Sequence, residues 1–219
     1  MSKLLRFPRG LYGITPEWDD TARLLDAIRA AHAGGLQVLQ WRRKNSPITS
    51  TLHQSQRAAV VALCAELKLP LIINDDWTLA RDLRTAGAHL GRDDGVLAEA
   101  KAGLAPDQWL GCTCYNQLEL AKQGLNLGVD YVAFGTAYLS TIKPDAPHAS
   151  LDIYRQGRQL CEHYSSSNSR AAVVAIGGIT AANTAPLIAA GVDSVAVISS
   201  LFEAPDVYAE ALAFSRLFL

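Results

Sequence analysis

An alternation of short apolar segments with helical patterns is the sequence feature that most constrains the fold. Most of these segments are apolar almost without interruption, as strands are when both faces of a sheet are covered. About eight such strand–helix units follow one another, and an α/β fold, a single-domain (β/α)8 TIM barrel, is the arrangement that accommodates them. An open doubly wound sheet is the alternative, since six of the units would suffice for it, but no Gly-x-Gly-x-x-Gly turn favours it. The predicted strands are 10–15, 36–41, 70–74, 88–90, 109–113, 131–134, 172–176 and 194–198.

Turn and capping residues divide the segments between the strands. Asp19 or Asp20 suits the N-cap of the first helix, and Gly34 with Gly35 ends it. Because no linker is long enough to separate two domains, residues 1–219 are predicted to form one barrel domain, with 1–9 as a loose basic extension. The predicted helices are 21–33, 50–67, 77–83, 97–102, 116–125, 151–164, 180–190 and 207–218.

Charge and cysteine content exclude several classes of protein. The 20 basic and 21 acidic residues give a net charge of -1, which argues against nucleic-acid binding through bulk charge. The four cysteines are too few for a disulfide scaffold, and their spacing fits no usual zinc pattern. No secretory segment follows Met1, and no apolar run approaches the ~18 residues that span a bilayer. A cytoplasmic protein that acts on small molecules, and not on nucleic acid or membranes, is therefore expected; a homo-oligomer is left open.

Polar residues follow nearly every predicted strand, at the end where barrel active sites lie. In the second strand and its extension, Gln40, Arg42 and Lys44 alternate and so face one way, whereas Trp41 and Arg43 face the other. Further polar groups at strand ends, from side chains or from the glycine backbone, belong to Asn74, Asp75, Asp94, Thr113, Ser140, Thr141, Lys143, Gly177, Gly178, Ser199 and Ser200.

The chemistry of these residues suits two anions. Asp75 and Asp94 are hard oxygen ligands, and two carboxylates with substrate phosphate oxygens make the usual open Mg²⁺ site. The cationic residues Arg42, Lys44 and Lys143 would bind a diphosphate. Gly178 with the amides around Ile198 and Ser199 would hold a separate monophosphate. Displacement of pyrophosphate by a second, phosphorylated substrate fits this arrangement.

Short motifs around the rim form a specific combination. They are Gln40-x-Arg42-x-Lys44, Asn74-Asp75, His89-Leu90-Gly91-x-x-Asp94, Lys143 after the sixth strand, Ile176-Gly177-Gly178-Ile179 and Val197-Ile198-Ser199. Together they resemble the thiamine phosphate synthase (thiamine-phosphate pyrophosphorylase) family over nearly the whole chain. The resemblance implies a Mg²⁺-dependent transferase with a (β/α)8 fold. Such an enzyme joins 4-amino-2-methyl-5-(diphosphooxymethyl)pyrimidine to a thiazole phosphate and releases pyrophosphate by a largely dissociative displacement.

The resemblance also implies a role for each site residue. Arg42, Lys44 and Lys143 would be catalytic, and Asp75 and Asp94 would hold the metal. The pyrimidine diphosphate would be bound by Gln40, Trp41, Arg42, Arg43, Lys44, Asn74, Thr113 and Lys143. The thiazole phosphate would be bound by Ser140, Thr141, Ile142, Gly178, Ile198 and Ser199.

Two other functions are compatible with the same resemblance. A thiazole tautomerase of the TenI type is expected to rely on a histidine near Tyr115, and this chain has none there. A catalytically silent paralogue that only binds thiamine phosphates would not need to keep both carboxylates and three cations. The synthase is therefore the preferred prediction.

Overall fold

The eight predicted strands close into a barrel. A computed structural model describes residues 3–45, 47–138, 147–166 and 168–219. Two further strands, β1 (Leu4–Leu5) and β8 (Ser169–Arg170), pair outside the barrel. Parallel pairing runs in sequence order around the ring, and the last barrel strand pairs with the first. The barrel strands are β2 (Gly10–Ile14), β3 (Leu36–Trp41), β4 (Leu71–Asn74), β5 (Gly87–Leu90), β6 (Trp109–Tyr115), β7 (Tyr131–Gly135), β9 (Ala172–Ile176) and β10 (Ser194–Val197).

Helices follow the strands and cover the outside of the barrel. Asp20 caps the first helix, with its carboxylate accepting from the Arg23 amide, and Gly34 ends it, as predicted. The helices are α1 (Thr21–Ala33), α2 (Thr51–Leu67), α3 (Trp77–Asp82), α4 (Leu97–Gly103), α5 (Leu118–Asn126), α6 (Leu151–His163), α7 (Ala185–Ala189), α8 (Ser199–Phe202) and α9 (Val207–Arg216).

The helix predicted over 180–190 is divided in the structure. A 3-10 turn, Ala181–Asn183, precedes α7, and Thr180 caps the turn through reciprocal hydrogen bonds with Asn183. The Thr184 hydroxyl donates to the Thr180 carbonyl at 2.7 Å. Pro186 has no amide proton with which to continue the backbone hydrogen bonds of a helix that began earlier. A new helix therefore begins at Ala185.

Residues 3–9, predicted as part of a loose extension, pack against the barrel. Leu4 and Leu5 pair with Ser169 and Arg170, and Phe7 is buried under the barrel. The Phe7 ring lies 4.1 Å from the Tyr131 ring, centroid to centroid. This aromatic contact closes the end of the barrel opposite the strands' C-terminal ends.

Two layers of apolar residues form the core. One lies inside the barrel and includes Val38, Ile72 and Val174; the larger one lies between the strands and the helices. All four cysteines are free and buried. No helix in the described part of the chain is long and apolar enough to cross a membrane.

Candidate active site

A cavity of about 400 Å³ opens at the C-terminal end of the barrel, and all eight barrel strands contribute to its walls. Strand periodicity explains the arrangement, because alternate side chains of each strand point inward. The structure brings together, as cavity lining, ten of the residues to which the resemblance gives a role: Gln40, Arg42, Lys44, Asn74, Asp75, Asp94, Thr113, Gly178, Ile198 and Ser199.

Two residues expected to bind substrate lie on the other face of their strand. Trp41 is buried among the helices, where its ring meets the His53 ring edge to face. Arg43 also points away from the cavity; its guanidinium donates to the Trp18 carbonyl and to the Gln56 amide oxygen and pairs with Asp19. The one-residue alternation of a strand separates both side chains from the cavity. Their predicted contact with the substrate stays a prediction.

Glu17 fixes the basic stretch in place. Its carboxylate accepts from Arg42 Nη1 at 3.1 Å, from the Lys44 amide at 2.8 Å and from the Asn45 amide at 3.2 Å. The Thr15 hydroxyl also donates to the Arg42 carbonyl and accepts from the Arg42 amide. The chain after β3 is therefore held at the rim by the segment that follows β2. In the sequence, the feature that could have identified Glu17 is a carboxylate shortly after the strand that precedes β3.

Carboxylates and a cation meet at the ends of β4 and β5. Lys44 Nζ lies 2.6 Å from Asp75 Oδ2, and the Gly91 amide donates to Asp94 Oδ2 at 2.8 Å. Burial raises the pKa of Asp75, and its hydrogen bond with Asp94 raises it further. Burial alone would raise the pKa of Asp94, but the hydrogen bonds with Asp75 and the Gly91 amide lower it instead. Two carboxylates and an ammonium group thus lie together on one side of the cavity.

Glycines line the opposite side of the cavity. Gly177 and Gly178 have φ angles of 102° and 63°, in the left-handed region that favours glycine. A Cβ on Gly177 would approach Thr136 Cγ2 to 2.3 Å, so this turn leaves no room for a side chain. The backbone there can come close to a ligand, as an anion subsite requires.

Comparisons with known proteins agree with this geometry. A model of the family described as "Thiamine monophosphate synthase" matches residues 11–201. The chain belongs to this family. "Thiamine-phosphate synthase" of Bordetella pertussis is 50% identical over 216 residues, covering 99% of this chain and 98% of the relative. The corresponding protein of Methylobacillus flagellatus is 46% identical over 210 residues, covering 96% and 95%.

A solved structure extends the similarity to three dimensions. Thiamine phosphate pyrophosphorylase from Pyrococcus furiosus superimposes with a TM-score of 0.78 at 27% identity, covering 97% of this chain and 96% of that one. The (β/α)8 prediction and the family prediction are both confirmed. As a member of the thiamine monophosphate synthase family, the chain is an enzyme, a transferase of thiamine phosphate synthesis.

Several residues that line the cavity had no predicted role. Tyr12, His89 and Tyr115 reach it from three strands. Tyr12 and His89 lie within apolar segments of the sequence, where a core position is the default prediction. The alternation of side chains along each strand could have identified them, because both occupy positions that point into the barrel. Burial lowers the pKa of His89 to about 4, so the imidazole is neutral near pH 7. Burial also raises the pKa of Tyr12 and of Tyr131, which keeps both phenols protonated.

One predicted group cannot be placed. Ser140, Thr141, Ile142 and Lys143 lie outside the described residues. Their predicted roles, thiazole phosphate binding for the first three and a catalytic diphosphate contact for Lys143, stay predictions.

Proposed function

We propose that the cavity joins 4-amino-2-methyl-5-(diphosphooxymethyl)pyrimidine to a thiazole phosphate, with Mg²⁺, and releases pyrophosphate. The observation that carries this proposal is the group formed by Arg42, Lys44, Asp75 and Asp94 on one side of the rim. Fixed cations beside two carboxylates suit a metal-bound diphosphate, because the carboxylates would bind the metal and the cations would pair with the phosphate oxygens.

The donor set fits Mg²⁺. Asp75 and Asp94 supply hard oxygens from neighbouring strand ends, and a divalent cation held by both would offset the repulsion between the two carboxylates. No group of three or more His, Cys, Asp or Glu side chains that could hold a metal occurs among the described residues. Two carboxylates are enough for a site that is completed by phosphate oxygens and water. Bound there, Mg²⁺ would neutralise charge on the leaving diphosphate.

The side chains of this protein would supply positioning and charge. The Arg42 guanidinium presents a planar donor fork to the diphosphate, and Glu17 holds that fork in register. Lys44, which pairs with Asp75, would turn its ammonium toward the phosphate oxygens. Lys143 would add a third cation. Charge that develops on pyrophosphate as the carbon–oxygen bond breaks is thereby stabilised, and the thiazole nitrogen attacks the resulting pyrimidine methyl cation.

The thiazole phosphate would occupy the glycine side of the cavity. Gly178, Ile198 and Ser199 line that side, opposite the carboxylates. Ser140, Thr141 and Ile142 would complete this subsite, and Gln40, Asn74 and Thr113 would hold the pyrimidine. Separate anion subsites at opposite walls would keep the two substrates in position for attack.

A three-arm assay on the purified chain separates the candidate functions. The first arm mixes both substrates with Mg²⁺ and measures thiamine phosphate. The second arm follows isomerisation of the thiazole phosphate alone, and the third measures binding of thiamine phosphate by calorimetry. We expect product in the first arm and none after chelation of the metal. Isomerisation without coupling would establish the tautomerase, and binding without either reaction would establish the silent paralogue.

Asp75→Asn is expected to raise the Mg²⁺ concentration for half-maximal activity about tenfold, because it removes one anionic ligand. The measurement is a Mg²⁺ titration of initial rate at saturating substrates. Asp76→Asn is the matched control: Asp76 caps α3 through the Leu79 amide, 2.9 Å from Oδ1, and asparagine caps equally well. An unchanged Mg²⁺ titration for Asp75→Asn would remove Asp75 from the metal site.

A further inference from the structure

Five polar side chains form an unbroken hydrogen-bonded chain across the barrel, beneath the cavity. We call it the floor chain. Four of its members line the cavity, whereas Tyr131 is fully buried and acts only through its neighbours. The links are Gln40 Nε2 to Tyr12 OH at 2.6 Å, Tyr12 OH to Tyr131 OH at 3.0 Å, Tyr131 OH to His89 Nδ1 at 3.1 Å, and His89 Nε2 to Thr113 Oγ1 at 2.9 Å.

The first link sets the direction of all the others. An amide nitrogen can only donate, so the Tyr12 oxygen accepts from Gln40, and the single Tyr12 proton is left for Tyr131. The Tyr131 proton must then go to His89 Nδ1, which has to be unprotonated. A neutral imidazole carries its proton on the other nitrogen, so Nε2 donates to the Thr113 hydroxyl oxygen.

The floor chain therefore fixes the orientation of the hydrogen-bonding group at each of its two ends. At one end the bond to Tyr12 uses one N–H of the Gln40 amide and fixes the rotation of the amide, which leaves its oxygen as an acceptor and its second N–H as a donor. At the other end the Thr113 oxygen accepts from His89, which leaves the hydroxyl proton as a donor. Reversing either end would require every link between them to reverse as well, because each hydroxyl has a single proton.

We propose that Tyr12, Tyr131 and His89 are positioning residues that fix an acceptor at Gln40 and a donor at Thr113. The site thereby selects a heterocycle with an exocyclic amino group and an unprotonated ring nitrogen. An oxo analogue offers the reverse pattern, a carbonyl acceptor and a ring N–H donor, and binds less well because its ring N–H would meet the Thr113 proton. This selection rests on the proposed function, since it assigns the aminopyrimidine half of that reaction to the cavity floor.

The tautomer of His89 tests the direction of the floor chain without any reaction. Nitrogen-15 NMR of the purified chain, with the signal assigned by comparison with His89→Gln, reports which ring nitrogen carries the proton. We expect protonation at Nε2 and a bare Nδ1 at pH 7. Protonation at Nδ1, or at both nitrogens, would overturn the direction and with it the proposal.

Tyr131→Phe tests the selection itself, because it removes the middle link and touches no substrate. The readout is the ratio of kcat/KM for the amino substrate to that for its 4-oxo analogue. We expect this ratio to fall about tenfold, through a higher KM for the amino substrate, with the KM for the thiazole phosphate unchanged. The His89 signal of this variant is expected to lose its fixed Nε2 tautomer.

Tyr154→Phe is the matched control. Tyr154 is equally buried, and its hydroxyl donates to the Phe134 carbonyl at 3.3 Å outside the floor chain. In Tyr154→Phe, the ratio of kcat/KM for the amino substrate to that for its 4-oxo analogue is expected to stay at the wild-type value. An unchanged ratio in Tyr131→Phe, or an equal fall in both variants, would contradict the proposal. If the wild type forms no product, the proposed function fails and the choice of ligand with it, while the histidine spectrum still decides the direction of the chain.

Discussion

Replacing Arg42 with methionine is expected to lower kcat about 10²- to 10³-fold, the usual loss when one preorganised charge-stabilising donor is removed from an active site. Arg42 lines the cavity, and its guanidinium lies 3.1 Å from Glu17, which fixes its orientation. Methionine keeps much of the apolar stem but cannot stabilise charge on departing pyrophosphate. The measurement is kcat with both substrates and Mg²⁺ saturating.

Arg29→Met is the control for Arg42→Met. Arg29 forms an exposed ion pair with Glu66, 2.8 Å between α1 and α2, on the outside of the barrel. Loss of an exposed pair costs little, so kcat of this variant is expected to stay within about twofold of wild type. Arg42 would lose its assigned role if Arg42→Met kept kcat near the wild-type value while remaining folded.

The second large effect is on stability, at the end of the barrel remote from the cavity. Asp193 accepts from Arg170 through both oxygens at 2.7 Å and from the Val173 amide at 2.9 Å, and the Asp193 and Arg170 side chains are each 5% exposed. Burial opposes the charge on Arg170, but the hydrogen bonds with Asp193 outweigh it and raise the pKa of Arg170. This pair connects β8 and β9 to the start of β10.

Asp193→Ala is expected to lower the free energy of unfolding by about 3–5 kcal/mol, because it leaves a buried guanidinium without its main partner. Equilibrium denaturation with urea measures the change. Asp82→Ala removes an exposed carboxylate, 62% accessible, from a pair with Arg81 and is expected to change stability by less than about 0.5 kcal/mol. A loss below about 1 kcal/mol in Asp193→Ala would show that the pair does not stabilise the fold as described.

Strand periodicity was sufficient to predict the barrel and to predict that Gln40, Arg42 and Lys44 face the same way. The same alternation places Trp41 and Arg43 outside the cavity, although the family resemblance had assigned both to the substrate. Local patterns work here because the direction of a side chain along a strand depends only on its position.

Other features depend on contacts between distant parts of the chain, which local patterns do not contain. The Glu17 carboxylate reaches three groups of the basic stretch only because β2 and β3 are neighbours. Phe7 belongs to a short basic segment, yet the open base of the barrel gives its ring a buried place. His89 stands in an apolar run, and only the closed barrel shows that it faces Tyr131 and Thr113.

The most direct test of the proposed function is the stoichiometry of a single reaction mixture. The wild-type chain would be incubated with the pyrimidine diphosphate, the thiazole phosphate and Mg²⁺, and thiamine phosphate and pyrophosphate would be measured over time. The proposed function predicts that both products appear in a one-to-one ratio and that neither appears after chelation of the metal. Release of pyrophosphate without thiamine phosphate, or no release with both substrates saturating, would contradict it.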